Sequence, residues 1–204
     1  LDPARPRWIF VMSTEEYGGQ LARQGHAEAH RRLAACLDQA VAAGRQPVLV
    51  APPPCAEAMR GRRPAPPGLV ALPFCDHPTF MALLLEAEHA FYWNVFSNSV
   101  MARAVNHLPV FFFDPGHLAR AVPPLHEAGM RLYFPGATLA YLDQREPLSA
   151  ARLAERAAAQ EAALAPAREN VRRSPAPPEV LAALFPPGAG SRERARRISA
   201  PQTY

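Results

Sequence analysis

The chain has 204 residues, of which 49% are hydrophobic and 20% charged, and its formal net charge is +4. This composition excludes a wholly disordered chain, and 11 Gly residues are too few for collagen. No apolar run approaches the roughly 18 residues that a membrane-spanning helix needs, so we expect no transmembrane segment. All 22 basic residues are Arg, which together with 24 Pro is typical of a high-GC bacterial genome.

Cysteine usage and the Arg clusters also limit the class of protein. Cys36, Cys55 and Cys75 are odd in number and lack CxxC spacing, so we expect reduced, buried thiols and a cytoplasmic protein. The Arg-rich end of the chain, at 192–197, lies in a Gly/Ser/Pro-rich stretch that predicts a solvated tail. It has no interleaved aromatic residues, so we expect no nucleic-acid partner.

The predicted elements alternate between strand and helix. An apolar run at 7–13 predicts the first strand, and after a break at Gly18 and Gly19 the apolar spacing of 26–43 predicts a helix ending at Gly44. There follow a strand at 46–51, a helix at 55–60, a strand at 69–74, a helix at 79–88 and a strand at 90–95. Then come a helix at 97–106, a strand at 110–113, a helix at 118–128 and a sixth strand at 130–134. Residues 149–171 are rich in Ala, Glu and Arg, which favours a long helix.

Strands that are apolar throughout and alternate with helices are typical of a parallel sheet covered on both faces. We therefore predict a three-layer α/β, Rossmann-like parallel sheet with a helical C-terminal extension. The predicted boundaries are 1–148 for the Rossmann-like domain, 149–186 for the helical extension and 187–204 for a disordered basic tail. The Pro-rich opening is similar to an interdomain linker, so we expect the chain to be part of a longer protein.

Candidate site residues follow the predicted strands, because ligands of open parallel sheets bind beyond the carboxyl ends of the strands. They are Ser13 and Thr14 after the first strand, Asp76 and His77 after the third, Ser97, Asn98 and Ser99 after the fourth, and Asp114, Gly116 and His117 after the fifth.

The segment Ser97-Asn98-Ser99 carries the sharpest signal, since it follows a strand and opens a helix. Free backbone N–H groups and the helix dipole favour an anion such as phosphate there. Ordinary helix capping by Ser and Asn explains the same residues without a ligand. Asp76 with His77, and Asp114 with His117, are equally open to two interpretations: binding of sugar hydroxyls or phosphate, or the turn chemistry of Asp before Pro or Gly.

Several functions are excluded by missing motifs. The sequence has no GxGxxG, no GxxxxGK[ST] and no GxSxG, which argues against classical dehydrogenases, P-loop kinases and α/β-hydrolases. His26 and His30 have helical spacing compatible with zinc, but no third ligand lies nearby in the sequence, so we interpret them as part of a solvated face. We expect no metal and no cofactor.

Residues 68–120 resemble the donor-binding, C-terminal half of GT-B glycosyltransferases. The resemblance rests on Pro78-Thr79-Phe80 through Leu85, on the run from Ala90 to Val105 with its Ser-rich turn, on Leu108-Pro109-Val110 and on Asp114-Pro-Gly-His117. In that family a helix leads to a strand, a Ser-rich turn opens the next helix, and a Pro-Val pair begins the strand after it.

The resemblance implies that the chain binds a nucleotide sugar as donor substrate. It would place the donor phosphate on Ser97, Asn98 and Ser99 and the base near 74–77, with the loops at Ser13-Thr14 and at 114–117 facing phosphate and sugar. Many retaining members carry a Glu near the Ser-led helix, and this sequence has none there. His77-Pro78 is similar to the His-Pro motif of bacterial sialyl- and Kdo-transferases, whose donors are CMP-linked.

The implied activity is transfer of a sugar to a cell-surface glycan or lipid-linked acceptor, in the cytoplasm or at the inner face of the membrane. The family's catalytic base usually lies in an N-terminal acceptor-binding domain, which we expect to be missing from this chain, so no catalytic residue is assigned. Two alternatives stay open: a non-catalytic Rossmann-like binding or scaffold module, and a domain similar to sugar-nucleotide epimerases.

Overall fold

A computed structural model describes residues 5–173, so the predicted tail at 187–204 and the extension beyond 173 lie outside the described residues. The elements, in chain order, are β1 (Arg7–Val11), α1 (Thr14–Ala42), β2 (Gln46–Val50), α2 (Pro53–Gly61), β3 (Val70–Leu72), α3 (His77–Glu86), β4 (His89–Tyr92), α4 (Asn98–Val105), β5 (Val110–Phe112), α5 (Leu118–Ala121), α6 (Pro123–Tyr133) and α7 (Ala150–Arg173).

The five strands form one all-parallel sheet in the order β3-β2-β1-β4-β5. In the centre of the sheet, Ile9 of β1 is paired with Val48 of β2 on one side and with Ala90 of β4 on the other. The α/β, Rossmann-like prediction is confirmed by this sheet and its flanking helices. The strand order reverses at β1, because the chain runs outward from β1 to β3 and then returns to add β4 and β5.

Both faces of the sheet are buried, which explains why its strands are apolar throughout. Trp8 and Phe10 point to the face covered by α1 and α2, where Leu37 of α1 packs with them. Ile9 points to the opposite face and shares a core with Leu84 of α3. Successive residues of a strand alternate between faces, so a strand with helices on both sides has no polar side.

The predicted break at Gly18 and Gly19 is wrong, because both residues lie inside α1. The helix starts earlier than predicted, since the Ser13 side chain caps it by accepting a hydrogen bond from the Glu16 backbone N–H at 3.2 Å. The interruption is instead at Gly25, where φ is 75° and ψ is 160°. A local pair of glycines therefore did not end a helix that its cap had already started.

The predicted sixth strand is also wrong: most of 130–134 belongs to α6, which ends at Tyr133. Phe134 is buried and Met130 packs against the same core, whereas Leu132 is 65% exposed. Burial four residues apart is the helical period, and a strand would have put all three on one face. Gly129 allows this packing, because a Cβ there would lie 2.8 Å from Cζ of the Phe96 ring.

A buried arginine joins the helices on one face to the sheet. Arg103 of α4 is fully buried, and its guanidinium donates to four backbone carbonyls: Pro109 at 3.0 Å, Ala87 at 2.9 Å, Glu88 at 3.1 Å and Leu84. Burial lowers the pKa of Arg103 to about 10, so the side chain stays charged at neutral pH. These bonds fix the end of α3 and the turn into β5, and thereby the position of α4.

The helix predicted at 149–171 is α7, whose apolar residues Leu153 and Leu164 are buried. The side chain of its buried Gln160 accepts a hydrogen bond from the Ala140 backbone N–H at 3.0 Å. Between residues 5 and 173, no helix has both the length and the apolar character needed to span a bilayer.

Candidate functional site

The site lies where the strand order reverses, beyond the carboxyl ends of β1 and β4. The helices that follow these two strands pack on opposite faces of the sheet, so the loops after the strands diverge and leave a crevice between them. Ser13 directly precedes α1 on one side of the crevice, and Asn94 and Ser97 lie between β4 and α4 on the other.

Three adjoining clefts open at this position. The polar cleft, of about 220 Å³, is lined by Ser13, Glu15, Glu16, Asn94, Phe96, Ser97 and the loop 115–118. The apolar cleft, of about 230 Å³, is lined by Val11, Met12, Ser13, Val50, Phe74, Cys75, Phe80, Tyr92, Asn94, Ser97 and Ser99. The helix-edge cleft, of about 220 Å³, is lined by Val95, Phe96, Ser97, Asn98, Met101 and Tyr133. Ser97 lines all three.

The start of α4 forms the common wall of the three clefts. Ser97 is its N-cap residue, with extended backbone, and its Oγ accepts the Ser99 backbone N–H at 3.3 Å. The Oγ atoms of Ser97 and Ser99 are 2.6 Å apart. Asn98 is exposed, Ser97 half-buried and Ser99 buried. The positive end of the α4 dipole therefore faces the clefts at this Ser-Asn-Ser turn.

A carboxylate and an imidazole meet in the polar cleft. The Glu16 side chain is fully buried, and its Oε1 lies 2.7 Å from Nδ1 of His117. The same oxygen accepts the His117 backbone N–H at 3.0 Å. Gly116 makes this approach possible: its φ is 102°, and a Cβ there would lie 2.9 Å from Cβ of Asn94 and 3.2 Å from Oε1 of Glu16.

Asp114 holds the turn that carries His117. Its Oδ1 accepts the Gly116 backbone N–H at 2.8 Å and pairs with Nη1 of Arg120 at 2.6 Å. Its Oδ2 pairs with Nη2 of Arg23 at 3.0 Å. Both carboxylate oxygens thus have partners within the protein, so Asp114 shapes the loop and does not line any of the three clefts.

Three other predicted site residues also lie outside the three clefts. Asp76 is exposed and caps α3, with Oδ1 accepting the Thr79 backbone N–H at 3.0 Å and Oδ2 accepting the Thr79 hydroxyl at 2.7 Å. These bonds lower the pKa of Asp76. His77 and Thr14 are exposed. The residues that the structure brings together are Ser13, Ser97, Asn98, Ser99, Gly116 and His117.

Glu16 and Asn94 are site residues that were not selected from the sequence. Glu16 stands three residues after Ser13, the spacing of a capping box, in which it would bond the Ser13 backbone N–H. Its side chain turns to His117 instead. Asn94 was included in the apolar strand predicted at 90–95, but β4 ends at Tyr92. A polar residue at the carboxyl end of an apolar run was the available signal.

The remaining His and Cys side chains of the described residues form no metal site. No cluster of three or more His, Cys, Asp or Glu residues suited to a metal occurs within residues 5–173. His30 contacts the Tyr17 hydroxyl through Nε2 at 2.8 Å, and burial lowers its pKa. The thiols of Cys36 and Cys55 are buried, which raises the pKa of each to about 12, whereas Cys75 is only half-buried, contrary to expectation.

These features define a Rossmann-like α/β domain with a composite cleft at the reversal of strand order. No protein-family model matches the chain, and no curated protein is significantly similar to it in sequence.

Proposed function

We propose that this chain is the donor-binding half of a glycosyltransferase, which transfers a sugar from a nucleotide sugar to a cell-surface glycan or similar acceptor. The observation that carries the proposal is the composite cleft at the reversal of strand order, with the Ser-Asn-Ser start of α4 as its common wall. A nucleotide sugar has three chemically different parts, and the start of α4, the apolar cleft and the polar cleft offer an environment for each.

The phosphate part fits the start of α4. The helix dipole provides partial positive charge without any metal, and Asn98 is exposed at the first position of the helix. The Ser99 N–H bonds Ser97 Oγ and the Val100 N–H bonds the Ser97 carbonyl, so a phosphate would meet mainly the dipole and the side-chain donors of this turn. The Ser97 and Ser99 hydroxyls add donors, since only one of the two protons is used in the contact between them. Fixed dipoles of this kind also stabilise a phosphate that departs as a leaving group.

The base fits the apolar cleft. Phe74 is 47% exposed and has a φ of 61°, a left-handed conformation that non-glycine residues seldom adopt. Phe80 and Tyr92 line the same cleft. A planar base would bury apolar surface between such rings, as ligands do in concave sites with few polar groups. The polar cleft then remains for the sugar, next to Ser97 and on the far side from Phe74.

The experiment that tests the proposal adds a negative charge beside the phosphate position. Asn98→Asp is expected to leave the fold stable, because an acidic residue in the first turn of a helix is favourable. Calorimetric affinity for a UDP-, GDP-, ADP- or CMP-sugar is expected to fall about tenfold, from repulsion of order 1 kcal/mol or more at close range. The matched control is Pro54→Asp, which adds the same charge in the first turn of α2, at a residue that lines none of the three clefts.

Two results would contradict the proposal. One is the absence of binding heat for all four classes of nucleotide sugar at millimolar concentration. The other is equal affinity in Asn98→Asp and Pro54→Asp, which would place the bound phosphate somewhere other than α4.

A non-catalytic binding module is the second candidate, and the capping contacts favour it. Asp76 and Ser13 direct their side-chain oxygens to their own helices, as purely structural caps do. Such a module is expected to show no heat with any nucleotide sugar, and Ser97→Ala would then change only the free energy of unfolding, by about 1 kcal/mol.

A further inference from the structure

The contact between Glu16 and His117 fixes both the orientation and the tautomer of the imidazole. One carboxylate oxygen binds the backbone N–H of His117 at 3.0 Å and Nδ1 of its ring at 2.7 Å. A carboxylate oxygen is an acceptor only, so Nδ1 carries the proton. In the neutral ring Nε2 is then the atom with the free lone pair.

Nε2 is available to a ligand. The His117 side chain is 39% exposed and lines the polar cleft, while its Glu16 partner is fully buried. The ring of His117 contacts Glu16 through Nδ1, and no group within residues 5–173 forms a hydrogen bond with Nε2. A buried carboxylate behind an accessible imidazole is the arrangement that stabilises the imidazolium formed when the ring takes up a proton.

Unpartnered acceptors in the same cleft indicate what kind of group enters it. Oε2 of Glu16 is buried without a hydrogen bond, and Nη2 of Arg120 is 3.9 Å from it. Oδ1 of Asn94 is also buried without a partner. Buried acceptors are normally satisfied, and a phosphate, which offers only acceptors at neutral pH, cannot satisfy them. A group that carries hydroxyl protons can.

We propose that His117 is the general base of the reaction and Glu16 the residue that positions it, with the polar cleft holding hydroxyl groups; as a catalytic assignment this rests on the proposed function. In a single displacement, the acceptor hydroxyl or water loses its proton to Nε2 and its oxygen forms the new bond to the anomeric carbon. The bond from that carbon to the phosphate oxygen breaks, and its electron pair leaves with the nucleotide. The base then belongs to the donor-binding half itself.

The first measurement is the tautomer, read from long-range ¹H–¹⁵N spectra of the full chain at pH 8, with His117→Gln to assign the signal. We expect Nδ1 protonated and Nε2 unprotonated. Glu16→Gln should keep this pattern, because its amide oxygen still accepts both N–H groups, whereas Glu16→Leu should lose it. A protonated Nε2 in the wild type, or the same pattern in Glu16→Leu, would overturn the proposal.

The second measurement is nucleotide release from the nucleotide sugar that calorimetry shows to bind, with water as the nucleophile. At saturating nucleotide sugar, His117→Gln should release nucleotide about 100-fold more slowly than the wild type. Glu16→Gln should also release it slowly, because it keeps the tautomer but lacks the charge that stabilises the imidazolium. The matched control is His107→Gln, since His107 also contacts a carboxylate, Glu161 at 3.2 Å, but is exposed, lines none of the three clefts and precedes the amino end of β5.

The outcomes separate the two proposals. If no nucleotide sugar binds, the proposed function fails and the catalytic assignment fails with it. If one binds but the wild type releases no nucleotide, or His117→Gln releases it at the wild-type rate, the base assignment alone is overturned.

Discussion

Replacing Gly116 with Ala is expected to destabilise the fold by about 2–5 kcal/mol and to separate Glu16 from His117. A side chain at a positive φ, here 102°, costs about 1–2 kcal/mol. The new Cβ would lie 2.9 Å from Cβ and 3.2 Å from Cα of Asn94, and 3.2 Å from Oε1 of Glu16. Overpacking against a backbone and a buried carboxylate adds about 1–3 kcal/mol.

Urea unfolding followed by tryptophan fluorescence measures this loss, and Gly44→Ala is its matched control. Gly44 has a φ of 75° and no atom within 4 Å of an added Cβ, so it carries only the backbone cost of about 1–2 kcal/mol. The reasoning is refuted if the two variants lose the same stability, because the close approach of the 114–117 loop to Glu16 and Asn94 would then have no energetic weight.

Three further predictions concern the core. Arg103→Met is expected to lose at least about 3 kcal/mol in the same urea assay, because four backbone carbonyls, two of them in fully buried hydrogen bonds, lose their donor. Burial lowers the pKa of His89, so below about pH 6.5 the unfolded chain binds a proton that the folded chain does not. The free energy of unfolding should therefore decrease as the pH is lowered from about 7.5 to about 5.5, and it should decrease less in His89→Phe. In a thiol-reagent titration of the native protein, Cys75 should react first, and Cys36 and Cys55 should react only when the protein unfolds. Simultaneous reaction of all three thiols would contradict the burial of Cys36 and Cys55.

The polar side chains around the clefts divide into two groups with different roles. The carboxylate oxygens of Asp114 and Asp76 accept hydrogen bonds from the local backbone and from nearby side chains, and so stabilise a loop and a helix start. Glu16 and Asn94 each have one buried oxygen that accepts no hydrogen bond, and both residues line a cleft. Of these four residues, only Glu16 and Asn94 have a buried oxygen left to accept a hydrogen bond from a ligand in a cleft, and residue type at a strand end does not reveal this difference.

The fold was predictable to the extent that burial alone determines secondary structure. The five strands were found from apolar runs, since a parallel strand covered on both faces has no polar positions to confuse with a loop. The sixth run, at 130–134, has a similar composition but a helical burial period, and composition cannot separate a short buried strand from a helix segment. The start of α1 was missed because the Ser13 cap outweighs the low helix propensity of Gly18 and Gly19.

The sequence by itself determined the α/β class, the edge of the sheet at which polar loops gather, and the Ser-Asn-Ser turn that opens α4. Tertiary structure alone decided the pairing of Glu16 with His117, which are 101 positions apart in the chain. That contact depends on β1 and β5 both ending at one edge of the sheet, and on a glycine that lets one loop approach a helix start. Local residue patterns drew attention to the 114–117 turn but not to its partner, because the pairing depends on the order of the strands in the sheet, in which β4 lies between β1 and β5.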